Sequence, residues 1–162
     1  MKLLKPLFLS LLFVIGFAFV PPSDKDDVQL EWKDWNTGYP KSMETEKIAL
    51  IDMYTDWCGW CKRMDKDTYA NEEVIEMINE NFVPIKFNPE KENVKYNIGD
   101  QEVSGRELQA ALSQNNRTGY PATFFLNPKT NTVYIERGYK KPGDFKKILK
   151  KYVDISEGKE VE

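Results

Sequence analysis

Hydrophobic residues fall along this chain in short blocks whose spacing alternates between that of strands and that of helices. Ile48-Ala49-Leu50-Ile51-Asp52-Met53-Tyr54 is nearly continuous in apolar character, as in a central strand buried on both faces. Val28 to Trp32 alternates with period two and predicts an edge strand. Residues 36–47 contain Gly38 and Pro40 and read as a loop leading into a short helix. Asn71 can cap a helix over 72–80, with Glu72 and Glu73 at the positive end of its dipole and Val74, Ile75 and Ile78 on one face.

Phe82 to Phe87 returns to a strand pattern, halted by Pro89. The polar stretch from Glu90 to Asp100 ends in Gly99-Asp100 and predicts a loop or small hairpin. Ser104 and Glu107 match a capping box for a helix reaching about Asn115, with Leu108 and Leu112 four residues apart. Thr123–Leu126 and Thr132–Glu136 flank a turn and form an antiparallel hairpin. From Asp144, the residues Phe145, Ile148, Leu149 and Tyr152 make the apolar face of a last helix, and an acidic tail over 154–162 frays beyond it. Strands alternating with helices in this order predict a mixed α/β sheet with helices over its faces.

The first twenty residues follow a different grammar. Lys2 and Lys5 precede an apolar run from Leu7 to Val20, and charge returns at Ser23-Asp24-Lys25-Asp26-Asp27. This is the pattern of a secretory signal, too short for a comfortable membrane span. Gly16 and Ala18 place cleavage after residue 18; an uncleaved anchor is the alternative. Residues 19–27, with Pro21-Pro22, form a linker, and one domain is expected over 28–153, in an exported and most simply periplasmic or cell-envelope protein.

Composition narrows the chemistry. The 162 residues include two cysteines and no histidine, which removes Ser-His-Asp and Cys-His nucleophiles and the usual imidazole zinc site. A net charge of −3 gives no electrostatic footprint for nucleic acid. Trp57-Cys58-Gly59-Trp60-Cys61-Lys62 puts two thiols at a strand-to-helix junction. Cys58 at a helix start is favoured as a thiolate by unpaired N–H groups, whereas Cys61, one turn inside and more buried, stays protonated until needed. An inert disulfide is the structural alternative, although closing so short a loop stabilises little. Half of a four-thiolate metal site would require a dimer.

These residues identify the chain as resembling the thioredoxin superfamily, and the likeness reaches beyond the cysteines to cover roughly 28–153. Asp52 falls where that family carries a buried carboxylate serving the second cysteine, and Lys86 where a lysine faces that carboxylate. Thr118-Gly119-Tyr120-Pro121 resembles the cis-proline segment opposite the active site, with Tyr120 presenting backbone to substrate, and Gly138 fits a small residue near the groove. The resemblance implies a thioredoxin-like fold, extended between Pro89 and Arg117, and thiol:disulfide exchange through Cys58 as nucleophile and Cys61 as resolving thiol.

Trp57, Gly59, Trp60, Tyr120 and Pro121 are then the expected substrate-binding residues, and Cys58, Cys61, Asp52 and Lys86 the catalytic ones. No cofactor or metal is expected beyond the redox disulfide. The expected partners are protein or peptide thiols and disulfides and an upstream electron donor, with membrane contact only through an uncleaved N-terminal segment. Trp60 stands where the common motif has proline, and the surrounding sequence looks closer to an exported branch that includes envelope reductants. Strongly oxidising relatives hold a histidine between the cysteines, so its absence favours reduction over oxidation or isomerisation. A peptide-binding module with a regulatory disulfide is the reading from another class.

Overall fold

The computed structural model describes residues 29–159. The expected signal segment, the linker and residue 28 lie outside them. Helix α1 (Trp35–Thr45) leads into β1 (Ile48–Met53), α2 (Gly59–Asp67), α3 (Glu72–Asn81) and β2 (Phe82–Phe87). A two-stranded unit, β3 (Tyr96–Ile98) and β4 (Gln101–Val103), precedes α4 (Gly105–Leu112), β5 (Ala122–Asn127), β6 (Thr132–Arg137) and α5 (Pro142–Ser156). The main sheet has the order β2-β1-β5-β6, parallel between β1 and β2 and antiparallel elsewhere. With helices on both faces, this is a thioredoxin-like α/β fold.

The period of two along β1 divides the core. Ala49, Ile51 and Met53 join Ile85, Phe87, Phe124 and Leu126 on one face, where Trp35 of α1 and Leu108 and Leu112 of α4 cover them. Ile48 and Leu50 join Phe125 on the other, under Met64 of α2, Val74 and Ile78 of α3, and Phe145 and Leu149 of α5. Alternation places Asp52 on this second face, the one roofed by α2.

Three expectations change. In place of the loop and short helix expected over 36–47, one helix runs from Trp35 through Pro40 to Thr45, capped by the Asp34 carboxylate, which accepts from the Thr37 amide at 3.0 Å. Gly38 lets this helix lie close on β2, since a Cβ there would sit 2.5 Å from Ile85 Cγ1. The edge strand from Val28 to Trp32 is reduced, among the described residues, to a single parallel bridge between Lys33 and Ile85. Helix α4 stops at Leu112 because Gln114 and Asn115 turn into left-handed backbone.

Other boundaries move less. Proline at the first helical position lets α5 begin at Pro142, two residues before the expected Asp144, and α5 stays helical to Ser156. The capping box at Ser104 and Glu107 is formed. The polar stretch before it folds as a hairpin turning at Gly99-Asp100 and docks on α1, where Trp35 Nε1 donates to the Asn97 carbonyl at 2.8 Å.

Candidate active site

Strand β1 ends at Met53, and five residues later Cys58 caps α2. Its backbone is extended, and its Sγ accepts the Cys61 amide N–H at 3.1 Å. Cys58 and Cys61 are joined as a disulfide across a Cα–Cα distance of 5.3 Å. Both are buried, at 4% and 3% exposure, so the expected greater burial of Cys61 is not seen in the oxidised pair. The asymmetry between them lies in helix position. Cys58 sits where orphan N–H groups converge, and its Sγ already accepts one of them. Gly59 opens the helix and is exposed, and a side chain there would meet nothing within 4 Å.

Asp52 is 1% exposed, and its β1 position is directly opposite Lys86 on β2 and Thr123 on β5. Lys86 Nζ donates to Asp52 Oδ2 at 2.6 Å and also to the carboxylate of Asp65 on α2. The ammonium lies 4.7, 5.1 and 5.3 Å from the ring centres of Trp32, Tyr54 and Tyr69, an aromatic enclosure that favours the cation. Tyr69 O–H donates to Asp52 Oδ1 at 3.4 Å and lies 3.3 Å from Thr123 Oγ1.

Burial raises the Asp52 carboxyl above its ordinary range, and the Lys86 charge only partly offsets this. Burial alone would lower Lys86, but the Asp52 and Asp65 carboxylates hold it above its ordinary value. Burial, and then the Asp52 charge, push the Tyr69 hydroxyl well up, so Tyr69 remains a donor. Asp52 is thus a carboxylate whose proton affinity is increased by burial, with two donors around it, the Lys86 cation and the Tyr69 hydroxyl.

The other wall is aromatic and exposed. Trp57 and Trp60 are 68% and 56% accessible on either side of Cys58. Trp57 stands edge-on to Tyr120 with ring centres 5.6 Å apart, and its Nε1 donates to Glu90 Oε2 at 2.8 Å. Trp60 leans on Tyr139 at 5.6 Å, and the Arg63 guanidinium lies over both rings. The Tyr120-Pro121 bond is cis, and the Pro121 carbonyl accepts the Gly138 N–H at 2.9 Å, joining two segments the sequence singled out separately.

The structure therefore pairs Asp52 with Lys86, bonds Cys58 to Cys61, and sets Trp57 against Tyr120. Sequence reasoning missed Tyr69, Asp65, Trp32, Glu90 and Arg106. Only Asp65 carried a usable signal, four residues after Cys61 and so on its side of α2. Among the described residues no group of three or more His, Cys, Asp or Glu side chains is placed to hold a metal ion.

Comparison with known proteins agrees with this geometry. A thioredoxin from Thermus thermophilus superposes with a TM-score of 0.60 at 17% identity, over 76% of this chain and 87% of that one. A protein described as DsbH oxidoreductase superposes with a TM-score of 0.58 at 16% identity, over 78% and 86%. At such identities these matches speak for the fold. In sequence, an uncharacterised protein of Caenorhabditis elegans is 23% identical over 105 residues, 64% of this chain but 13% of the nematode protein. The fold and the cysteine pair together support thiol–disulfide exchange. The profile of a DsbH-type thioredoxin-like family, described as a protein of unknown function, DUF255, matches residues 23–157, and the chain belongs to that family.

Proposed function

We propose that this protein is a thiol:disulfide oxidoreductase that reduces disulfides of protein or peptide substrates. The Cys58 thiolate attacks one sulfur of the substrate disulfide, forming a mixed disulfide and expelling the other substrate sulfur as a thiolate. Cys61 loses its proton to Asp52 and attacks Cys58 Sγ, which releases the second substrate thiolate and leaves the Cys58–Cys61 disulfide. Two electrons pass from the enzyme dithiol to the substrate. An upstream dithiol donor, received at the same exposed site, restores the reduced enzyme.

The single observation that carries the reading is the position of Cys58 as the cap of α2, accepting a backbone N–H at its Sγ. The buried carboxylate adds to it, because a carboxyl with raised proton affinity accepts a thiol proton better than an ordinary one. Lys86 and Tyr69 hold that carboxylate in place. The absence of histidine from the chain supports the reducing direction. The proposed setting is the cell envelope, supported by the basic and then apolar start of the sequence, with the pair working on exported proteins.

Reduction of insulin disulfides should be lost in Cys58→Ser, and Cys61→Ser should accumulate substrate as a mixed disulfide. Equilibration of the Cys58–Cys61 pair with glutathione or a thioredoxin tests the direction. A potential near about −270 mV supports reduction, whereas one near about −120 mV assigns the protein to oxidation. Full insulin turnover in Cys58→Ser would sink the mechanism.

A further inference from the structure

We propose that Glu90 is a positioning residue that turns Trp57 into an apolar reading surface beside Cys58, so that the site selects disulfides flanked by a large apolar side chain. The proposal rests on the exchange reading above and names the substrate feature that reading leaves open.

Trp57 immediately precedes the proposed nucleophile and is the most exposed large apolar residue described. An indole so exposed has one polar atom with which to meet a partner. Here that atom is already used, because Nε1 donates to Glu90 Oε2 at 2.8 Å. What remains of the ring is apolar surface.

Glu90 is itself fixed. Its other oxygen accepts Arg106 Nη2 at 2.7 Å, and its backbone N–H donates to Asn88 Oδ1 at 2.9 Å. Arg106 Nη1 reaches the Tyr120 hydroxyl at 3.4 Å, and Gln109 Nε2 reaches the same oxygen at 3.4 Å. Tyr120 then closes the circuit against the Trp57 ring. Carboxylate and guanidinium neutralise one another, so this wall offers a partner neither net charge nor an unused indole donor.

All of these residues except Trp57 come from the segment between β2 and β5, so that segment reaches the indole beside the reactive disulfide through Glu90 and Tyr120. With Glu90 removed, Trp57 loses its tether and its N–H is free to bind polar groups. Discrimination between apolar and polar neighbours of the target cysteine should fall accordingly.

The test compares two peptide disulfides identical except for leucine or asparagine next to the target cysteine. The full chain should reduce the leucine peptide with a kcat/KM about fivefold higher, the scale of one well-placed apolar contact. Glu90→Ala should bring the ratio to within about twofold of unity. Glu90→Gln, which can still accept the indole N–H, should keep most of the preference. Glu102→Ala removes an exposed carboxylate of the same segment and should keep the wild-type ratio.

A second arm needs no turnover. The indole N–H resonance of Trp57 is followed while the same peptides, with serine for cysteine, are titrated in. The leucine peptide should shift it at a lower concentration than the asparagine peptide in wild type, and the two should act alike in Glu90→Ala. No leucine preference in wild type, or a preference that survives Glu90→Ala, overturns the proposal. If neither disulfide peptide is reduced, the exchange reading fails and the titration alone decides this one.

Discussion

Asp52 and Trp57 stand five residues apart in sequence and in opposite surroundings. The carboxylate is 1% exposed in the core, while the indole is 68% exposed on the surface. Each is where its chemistry is costly, since burying a charge and wetting a large ring both oppose folding. The difference lies in how each is stabilised. Asp52 is held by a partly buried cation, a tyrosine and the low dielectric around them, so its energetics should be large and pH-dependent. Trp57 is held by one surface hydrogen bond and an edge-on ring, so its surroundings should add little to stability.

The largest expected effect tests the buried side. Lys86→Met leaves Asp52 without its cation and should destabilise the protein by about 3 kcal/mol at pH 7 in urea unfolding. The loss should shrink on acidification, because a protonated Asp52 needs no partner. A pH-independent loss would mean that Lys86 contributes mainly by packing. Next comes the scaffold of the exposed wall. A Cβ on Gly105 would lie 2.5 Å from the Pro89 carbonyl oxygen, so Gly105→Ala should cost about 2 kcal/mol, equally at pH 7 and pH 4.

Asp52→Asn should act in the opposite sense. The folded carboxyl keeps its proton to a higher pH than the ordinary value of 3.8, so wild-type stability is complete below that value and falls as pH rises through the raised one. The asparagine variant has no such loss. It should be more stable than wild type at pH 7 and equal to it at pH 3 in urea unfolding, while its insulin turnover falls. Equal stability at both pH values would show that Lys86 fully offsets the burial of Asp52. The smallest effect belongs to Arg63→Ala. Its pair with Asp67 is exposed, so the urea midpoint should not move even though the guanidinium leaves Trp60 and Tyr139.

Much of the central architecture was legible because it follows from local pattern. The apolar run at Ile48, the Asn71 cap, the Ser104 box and the alternation around Thr123 and Thr132 each give one reading, and the structure keeps it. Helix α1 was not legible, because Gly38 and Pro40 both argue against a helix. What overrides them is the close packing of that helix on Ile85, which no local pattern announces. The strand expected over Val28–Trp32 is missing among its described residues, 29–32, for the converse reason, since alternation predicts a strand but provides no partner for it.

Cys58, Cys61, Asp52 and Lys86 could be reached through spacing and resemblance. Tyr69 could not, because its hydroxyl meets Asp52 only once the turn after α2 folds back over the sheet. Glu90 and Trp57 lie 33 residues apart, and nothing in either neighbourhood indicates that they meet.

The cap at Cys58 has one more consequence. A thiolate accepts hydrogen bonds more strongly than a disulfide sulfur, so the N–H of Cys61 is gripped more firmly after reduction than before. Helix α2 therefore carries a gauge of its own oxidation state in its first turn. The Cys61 amide proton should exchange more slowly with solvent in the reduced protein, giving a native reporter beside the electrons it counts.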